Sequence, residues 1–180
     1  MRPVAHLMLV AVAALALPSA FAASAQLTVE IPKMDVSEYH RPYVAVWVER
    51  EDHSVAANLA VWYQSKDGKD AKSGKAEPGS KWLGELRQWW RRGGRDQTLP
   101  IDGVSGATRP AGQHQLAFDG SKGPFATLAP GSYKLVVEGA REVGGHELLS
   151  VPFEWPPKSP QHLSAQGDHE LGALRFDLNP

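Results

Sequence analysis

The chain has 180 residues, with 19 Lys and Arg against 20 Asp and Glu, a formal net charge of −1 and a hydrophobic fraction of 42%. These values are typical of one globular domain, and the balanced charge argues against a nucleic-acid partner. The absence of cysteine excludes disulfides, cysteine-ligated metal clusters and thiol catalysis.

Residues 1–25 predict a secretory signal peptide. Arg2 provides a short basic start, an apolar run follows it, and two small-residue cleavage motifs end at Ala22 and Ala25. The apolar run is shorter than the roughly 18 residues that a membrane-spanning helix requires. We therefore expect a periplasmic protein that is cleaved after Ala22 or Ala25 and is not membrane-embedded, with residues 26–180 forming a single domain.

Seven short alternating or β-branched runs, separated by Gly, Pro, Asp and Ser clusters, predict strands. The runs are 26–31, 43–49, 58–63, 114–118, 133–138, 147–153 and 171–178. They indicate a mainly β protein, an immunoglobulin-like β-sandwich with one inserted amphipathic helix. In 43–49 and 58–63 both alternating sets are apolar, which is typical of a sheet that is covered on both faces.

The inserted helix is predicted at 81–92 and is expected to cover the outer face of that sheet. Its apolar residues follow i, i+3 and i+4 spacings and are Trp82, Leu83, Leu86, Trp89 and Trp90. We expect Ser80 to cap its start and Gly93 to end it in a left-handed conformation. Trp47, Trp62 and Trp82 are expected in the core.

Two longer segments lack hydrophobic periodicity. Residues 66–80 are rich in Lys, Gly and Asp, and residues 156–169 contain three prolines. Both are predicted as surface loops, too short to separate domains.

Residues 110–153 resemble the immunoglobulin-like module of flagellar hook-capping proteins. The resemblance is carried by the aromatic-Asp-Gly turn at 118–120 and by Pro-Gly-x-Tyr at 130–133. Gly120 is expected to supply a positive φ in the first turn, and Pro130-Gly131 to form a type II turn in the second.

Residues 102–108, Asp-Gly-Val-Ser-Gly-Ala-Thr, match every specified position of the flavinylation motif Asp-Gly-x-Ser/Thr-Gly-Ala-Thr. The segment resembles the flavin acceptors of the sodium-translocating NADH:quinone reductase and of other extracytosolic redox proteins. In those proteins an ApbE-type flavin transferase joins FMN to the last threonine by a phosphoester, using FAD and Mg²⁺. The resemblance implies covalent FMN on Thr108, with a cofactor-binding segment formed by Asp102, Gly103, Ser105, Gly106, Ala107 and Arg109.

The residue types suit this chemistry, because an acceptor must enter the groove of another enzyme. Thr108 supplies a hydroxyl, while Gly103, Gly106 and Ala107 keep side chains out of the way. Two further sets have expected roles. Asp102 and Ser105 are expected to hold a turn, in an exposed loop bracketed by Pro100 and Pro110. Cations that could pair with the FMN phosphate are Arg109, Arg91, Arg92 and Arg95.

The wider chain, over most of residues 27–153, resembles an uncharacterised family of exported bacterial proteins. That family is typically associated with PepSY-type membrane redox proteins and flavin transferases. The resemblance implies a periplasmic electron-transfer flavoprotein that exchanges electrons with a membrane redox partner. We expect an electron carrier and a transferase substrate rather than an enzyme, with no catalytic and no metal-ligating residues.

Two alternatives stay open at this level. In the first alternative, residues 100–110 are only a Gly- and Pro-rich loop, and the protein is a flavin-free immunoglobulin-like adaptor that binds an envelope partner through its Trp-rich helix. Likewise, Trp89 or Trp90 either stacks on the flavin ring or packs in the core.

Overall fold

The computed structural model describes residues 22–64, 79–142 and 144–180, so most of the loop predicted at 66–80 lies outside it. Within these ranges the strands are β1 Ser24–Ile31, β2 Tyr43–Glu49, β3 Val55–Tyr63, β4 Ser105–Ala107, β5 Gly112–Asp119, β6 Gly131–Ala140, β7 His146–Trp155, β8 Gln161–Gln166 and β9 Ala173–Asn179. The α-helices are α1 Arg87–Arg92 and α2 Gly123–Ala126, and 3₁₀ helices span Gly79–Glu85 and Gly94–Asp96.

The described strands form two sheets, which confirms a mainly β, sandwich-like protein. One sheet has the order β5-β1-β9-β8 and the other the order β4-β3-β2-β6-β7. Neighbouring strands are antiparallel except for the parallel pair of β3 and β4. Each of the seven predicted strands is present, with ends that differ by a few residues.

The main core lies between the two sheets. It combines alternate apolar residues of β1, β2, β6 and β9, among them Leu27, Ile31, Val46, Leu135 and Phe176, all fully buried. Phe125 of α2 enters the same core, and its ring centroid lies 4.7 Å from that of Trp155. Burying side chains of this size stabilises a fold by about 1.5–3 kcal/mol each, so this core holds the two sheets together.

A second, smaller core covers the opposite face of the five-stranded sheet. Leu83, Leu86 and Trp89 of the helical segment are fully buried there, against sheet residues that include Trp47 and Val61. The prediction that this sheet is covered on both faces, by the helical segment, is confirmed.

The helix predicted at 81–92 is two helices. The 3₁₀ helix Gly79–Glu85 comes first, and α1 begins only at Arg87. The three residues that reach the core, Leu83, Leu86 and Trp89, are spaced by three, which suits a 3₁₀ helix better than one continuous α-helix. The expected cap was wrong, because Ser80 lies inside the 3₁₀ helix.

Trp82 and the glycines after α1 also differ from expectation. Trp82 was predicted in the core, but it is 48% exposed because it lies on the side of the 3₁₀ helix away from Leu83. Gly93 has a φ of 161°, an extended rather than a left-handed conformation. Gly94 is the glycine that packing requires, since a Cβ there would lie 2.5 Å from Cε3 of the Trp89 ring.

Further corrections concern loops and turns of the second half of the chain. Residues 156–169, predicted as a loop, contain strand β8, whose alternate residues are half-buried against the core. Gly120 and Gly131 do not have the positive φ that was expected of them. Gly120 instead allows a close approach, because its N–H donates to the Ala23 carbonyl at 2.6 Å and a Cβ would collide with that oxygen.

The start of β1 separates the two candidate cleavage sites. Ala25 is buried opposite Phe118 and Leu178, and the Ala23 carbonyl accepts the Gly120 bond. Cleavage after Ala25 would remove the first two residues of β1, whereas cleavage after Ala22 would leave the strand whole. None of the helices in the described part of the chain is long and apolar enough to cross a membrane.

Candidate functional site

The motif at 102–108 lies at one lateral edge of the sandwich. Strand β4, which contains part of it, ends the five-stranded sheet, and β5 ends the four-stranded sheet. Residues 108–111 connect these two strands and therefore cross from one sheet to the other. Thr108 is the first residue of this crossover.

A hydrogen-bonded turn opens the motif. The Ile101 carbonyl accepts the N–H groups of Val104 and Ser105 at 3.2 and 2.9 Å, and the Ile101 N–H donates to Ser105 Oγ at 2.9 Å. Gly103 has a φ of +68°, the left-handed conformation that glycine adopts without strain, and Asp102 is exposed. The prediction that Ser105 holds the turn is confirmed.

The second half of the motif was predicted as an exposed loop, and this was wrong for residues 105–107. These residues form β4, which pairs in parallel with β3 at Val61, Trp62 and Tyr63. Ser-Gly-Ala has little intrinsic strand preference, so the pairing is imposed by the otherwise open edge of β3. Pro100 and Pro110 lie outside the strand.

Trp62 lies at the centre of the contacts made by the residues around Thr108. It is 3% exposed, and a Cβ placed on Gly106 would lie 3.4 Å from its Cδ1. The Arg109 guanidinium lies 5.4 Å from the Trp62 ring centroid, and the His114 ring meets it edge-on at 5.7 Å. His114 Nε2 donates to the Pro110 carbonyl at 2.8 Å, which ties the crossover to β5.

Thr108 and its two neighbours in the chain differ in solvent exposure. Thr108 is half-buried, whereas Ala107 and Arg109 on either side of it are exposed. Thr108 thus lies between two exposed residues, directly after a paired strand. In the described residues no group of three or more His, Cys, Asp or Glu is arranged to hold a metal ion.

The other arginines proposed as phosphate partners are engaged elsewhere. Arg92 forms an ion pair with Glu49, which is 2% exposed, so Arg92 belongs to the second core rather than to the motif. Arg91 donates to the Arg87 carbonyl at 3.2 Å, and Arg95 lies 3.8 Å from Asp96. Arg109 is thus the arginine that the structure places beside Trp62.

The two tryptophans of α1 differ in burial. Trp89 is fully buried and its Nε1 donates to Asn58 Oδ1 at 2.8 Å, so of the two alternatives left open for Trp89 the structure shows packing in the core. Trp90 is half-buried, with its ring centroid 6.3 Å from that of Trp89.

A buried carboxylate anchors the start of α1. Glu138 of β6 is fully buried and accepts the backbone N–H groups of Gln88 and Trp89 at 2.8 and 2.7 Å, together with a hydrogen bond to His146. Sequence reasoning missed this contact because Glu138 lies about fifty positions from the helix. The available signal was a glutamate that directly follows the apolar run 135–137.

Comparison with known proteins gives one family. Residues 24–173 match the family described as predicted periplasmic protein (DUF2271), and the chain belongs to that family. Its periplasmic location, expected from the signal peptide, is confirmed by this membership. No curated protein and no solved structure matches the chain.

Proposed function

We propose that this periplasmic DUF2271 protein carries FMN bonded to Thr108 and relays electrons between a membrane redox protein of the PepSY type and an extracytosolic acceptor. The observation that carries the proposal is the complete match of residues 102–108 to the acceptor motif. The position of Thr108, directly after an edge strand and beside exposed neighbours, supports it.

The attachment is a phosphoryl transfer performed by an ApbE-type flavin transferase. Thr108 Oγ1 attacks the phosphorus of the FMN half of FAD, and the bond from that phosphorus to the bridging oxygen breaks. AMP leaves with the bridging oxygen, and the threonine proton passes to a base of the transferase. A hydroxyl is a weak nucleophile alone, so both the base and the Mg²⁺ on the pyrophosphate belong to the transferase.

The residues around Thr108 fit a phosphodiester. Such a group carries one negative charge, and Arg109 follows the acceptor directly. The contact of its guanidinium with the Trp62 ring holds this cation near the crossover while leaving it exposed. Arginine is well suited to pair with phosphate oxygens, because its donors form a planar fork.

When bound, FMN supplies a group that accepts and returns electrons, and its covalent bond prevents loss by diffusion from an exported protein. The part of this chain is to fix the attachment point. The turn at 101–105, the pairing of β4 with β3 and the packing of Gly106 on Trp62 all hold Thr108 on a rigid sheet.

The test compares wild type with Thr108→Ala, each produced in a bacterial periplasm together with a flavin transferase. Intact mass under denaturing conditions is expected to show one added FMN on wild type and none on the variant. Both proteins should unfold at the same temperature, since a substitution of this kind costs within about 0.5 kcal/mol. Wild type without FMN, beside a transferase active on another acceptor, contradicts the proposal.

A second candidate, a flavin-free adaptor, is favoured by one observation. Trp82 presents 48% of its surface from the 3₁₀ helix, and exposed tryptophans are frequent anchors in protein interfaces. An adaptor keeps its partner in Thr108→Ala and loses it in Trp82→Ala. A pull-down from envelope extracts with both variants separates it from the electron carrier.

The immunoglobulin-like character of the sandwich belongs to the same set of proposals. The Tyr133 hydroxyl donates to the Ala129 carbonyl at 2.8 Å, four residues upstream. A tyrosine bonded back to a nearby upstream carbonyl at a strand start is a feature of immunoglobulin-like sandwiches, which supports this finer assignment.

A further inference from the structure

We infer that the enzyme that transfers FMN recognises residues 105–107 as a β-strand, by pairing an extended segment of its own with the open side of β4. This inference rests on the proposed function. It starts from the position of β4, which is the outermost strand of the five-stranded sheet in the described part of the chain. Thr108 follows this strand directly.

The register of β4 shows which backbone groups face outward. Val61 pairs with Ser105, Trp62 pairs with Gly106, and the Val61 N–H donates to the Val104 carbonyl at 3.0 Å. This pattern directs the N–H and C=O of Gly106 toward β3. Because backbone direction alternates along a strand, the Ser105 carbonyl and both polar groups of Ala107 face away from β3.

The side chains leave this outward row accessible. Gly106 and Ala107 are the smallest residues available, and the Ser105 hydroxyl is turned back to the Ile101 N–H. Edge strands are commonly protected against pairing by proline, lysine or a bulge. Strand β7, at the other end of the same sheet, contains Pro152 in this way, whereas β4 contains none of these features.

The transferase is the occupant that these observations favour. It must bring the phosphorus of FAD to Thr108 Oγ1, immediately beyond the strand. Residues 105–107 offer that enzyme almost no side chain, so their outward backbone groups are the contacts available. Main-chain pairing also fixes the register, and therefore the position of Thr108 relative to the bound FAD. Because residues 105–107 are already ordered in the sheet, binding does not have to bear the entropic cost of ordering them.

The experiment measures the initial rate of FMN incorporation into the flavin-free mature protein, with purified transferase, FAD and Mg²⁺. Ala107→Pro removes the outward N–H without removing a bond to β3, and Ala107→Ser is the control that keeps this N–H. We expect Ala107→Pro to react at least about tenfold more slowly than Ala107→Ser, as for a lost hydrogen bond. Both variants should melt near the wild-type temperature.

Two outcomes overturn strand pairing, and a third overturns the proposed function on which the inference rests. Equal rates for Ala107→Pro and wild type overturn strand pairing, as does an Ala107→Ser rate as low as that of Ala107→Pro. Absence of FMN on wild type, with a transferase shown to be active on another acceptor, overturns the proposed function itself.

A second measurement does not depend on the folding of the proline variant. Thr108→Ala keeps the strand but cannot accept FMN, so it forms a complex with the transferase that does not turn over. Hydrogen exchange should show protection of the Ala107 amide when transferase is added. Unchanged exchange at Ala107 in a complex that does form contradicts strand pairing.

Discussion

The helix-covered face of the five-stranded sheet and the motif edge of the same sheet are built in opposite ways. On the covered face, Glu49 and Glu138 are almost wholly buried, and each is bonded to the helical segment, Glu49 to Arg92 and Glu138 to the N–H groups of Gln88 and Trp89. At the motif edge, Ala107 and Arg109 are exposed and the bonds at the turn are local. The first region stabilises the domain, and in the proposed function the second presents one hydroxyl to the flavin transferase.

This contrast separates two kinds of mutational effect. Removing a buried carboxylate leaves its hydrogen-bond donors uncompensated in the core, which lowers the free energy of unfolding. An exposed residue on an edge strand contributes little to stability, so its replacement acts on recognition instead. The predictions below compare the free energy of unfolding with FMN incorporation, in order of decreasing expected effect on stability.

Glu138→Ala is expected to have the largest effect on stability. It removes the acceptor for the Gln88 and Trp89 N–H groups and for His146, and each buried donor left unsatisfied costs about 1–3 kcal/mol. Urea unfolding measures this loss. The control is Glu154→Ala, an exposed carboxylate on β7, which should cost less than 1 kcal/mol. Equal losses in the two variants would contradict the role of Glu138.

FMN incorporation into the folded fraction of Glu138→Ala should match wild type. A variant that folds but takes no FMN would show that the covered face and the motif edge are coupled.

Gly94→Ala is expected to destabilise through overpacking. The added Cβ would lie 2.5 Å from the Trp89 ring, and forcing an extra carbon into a packed site costs about 1–3 kcal/mol. Gly84→Ala is the matched control, because nothing lies within 4 Å of its Cβ. Thermal unfolding of both variants tests the difference, and similar melting temperatures would argue against the close contact.

Glu147 of β7 is an intermediate case, a half-buried carboxylate. Partial burial acts to raise its pKa, but backbone N–H groups of Asp168, Leu171 and His169 outweigh it and hold the pKa below its ordinary value. A carboxylate whose pKa is lowered by folding stabilises the protein at pH values above its unfolded-state pKa. This stabilisation is lost as the pH falls through the folded-state pKa. Glu147→Gln should therefore cost about 1–2 kcal/mol at pH 7.

The pH dependence provides the check on Glu147. The difference in free energy of unfolding between wild type and Glu147→Gln should be fully present above the ordinary glutamate pKa and should shrink as the pH falls through the lowered pKa of Glu147. A difference that stays constant over the whole acid range in which the protein stays folded would show that charge is not involved.

Arg109→Gln is expected to have the smallest effect on stability. It removes the contact with the Trp62 ring, worth about 0.5–1 kcal/mol at an exposed site. The rate of FMN incorporation should fall by more than the loss of stability would cause, because the cation beside Thr108 is lost. The control is Arg91→Gln on α1, and equal slowing in both variants would indicate a general charge effect.

The sequence was sufficient for the parts of the fold that apolar patterns define. Residues 43–49 and 58–63 predicted a doubly covered sheet because both alternating sets are apolar. The same patterns could not show β4, since Ser-Gly-Ala carries no apolar alternation and its pairing comes from β3. They also predicted one helix at 81–92 where the structure has a 3₁₀ helix followed by α1. Hydrophobic spacing does not distinguish these two arrangements.

The candidate site divides in the same way. The proposed acceptor Thr108 and the turn residue Ser105 are identified by a contiguous motif. Trp62 and His114 lie on other strands and reach the crossover only through the sandwich, so no local pattern in the chain marks them. Distant partners of this kind require the structure.

The pairing of β1 with β9 has a consequence for how the protein matures. Ser24 lies opposite Asn179, and β9 also joins β8 to the rest of its sheet. The four-stranded sheet therefore cannot close until β9 is in place, because β9 joins β8 to β1. A chain that stops before β9 would leave β8 without its partner strand and one edge of β1 open.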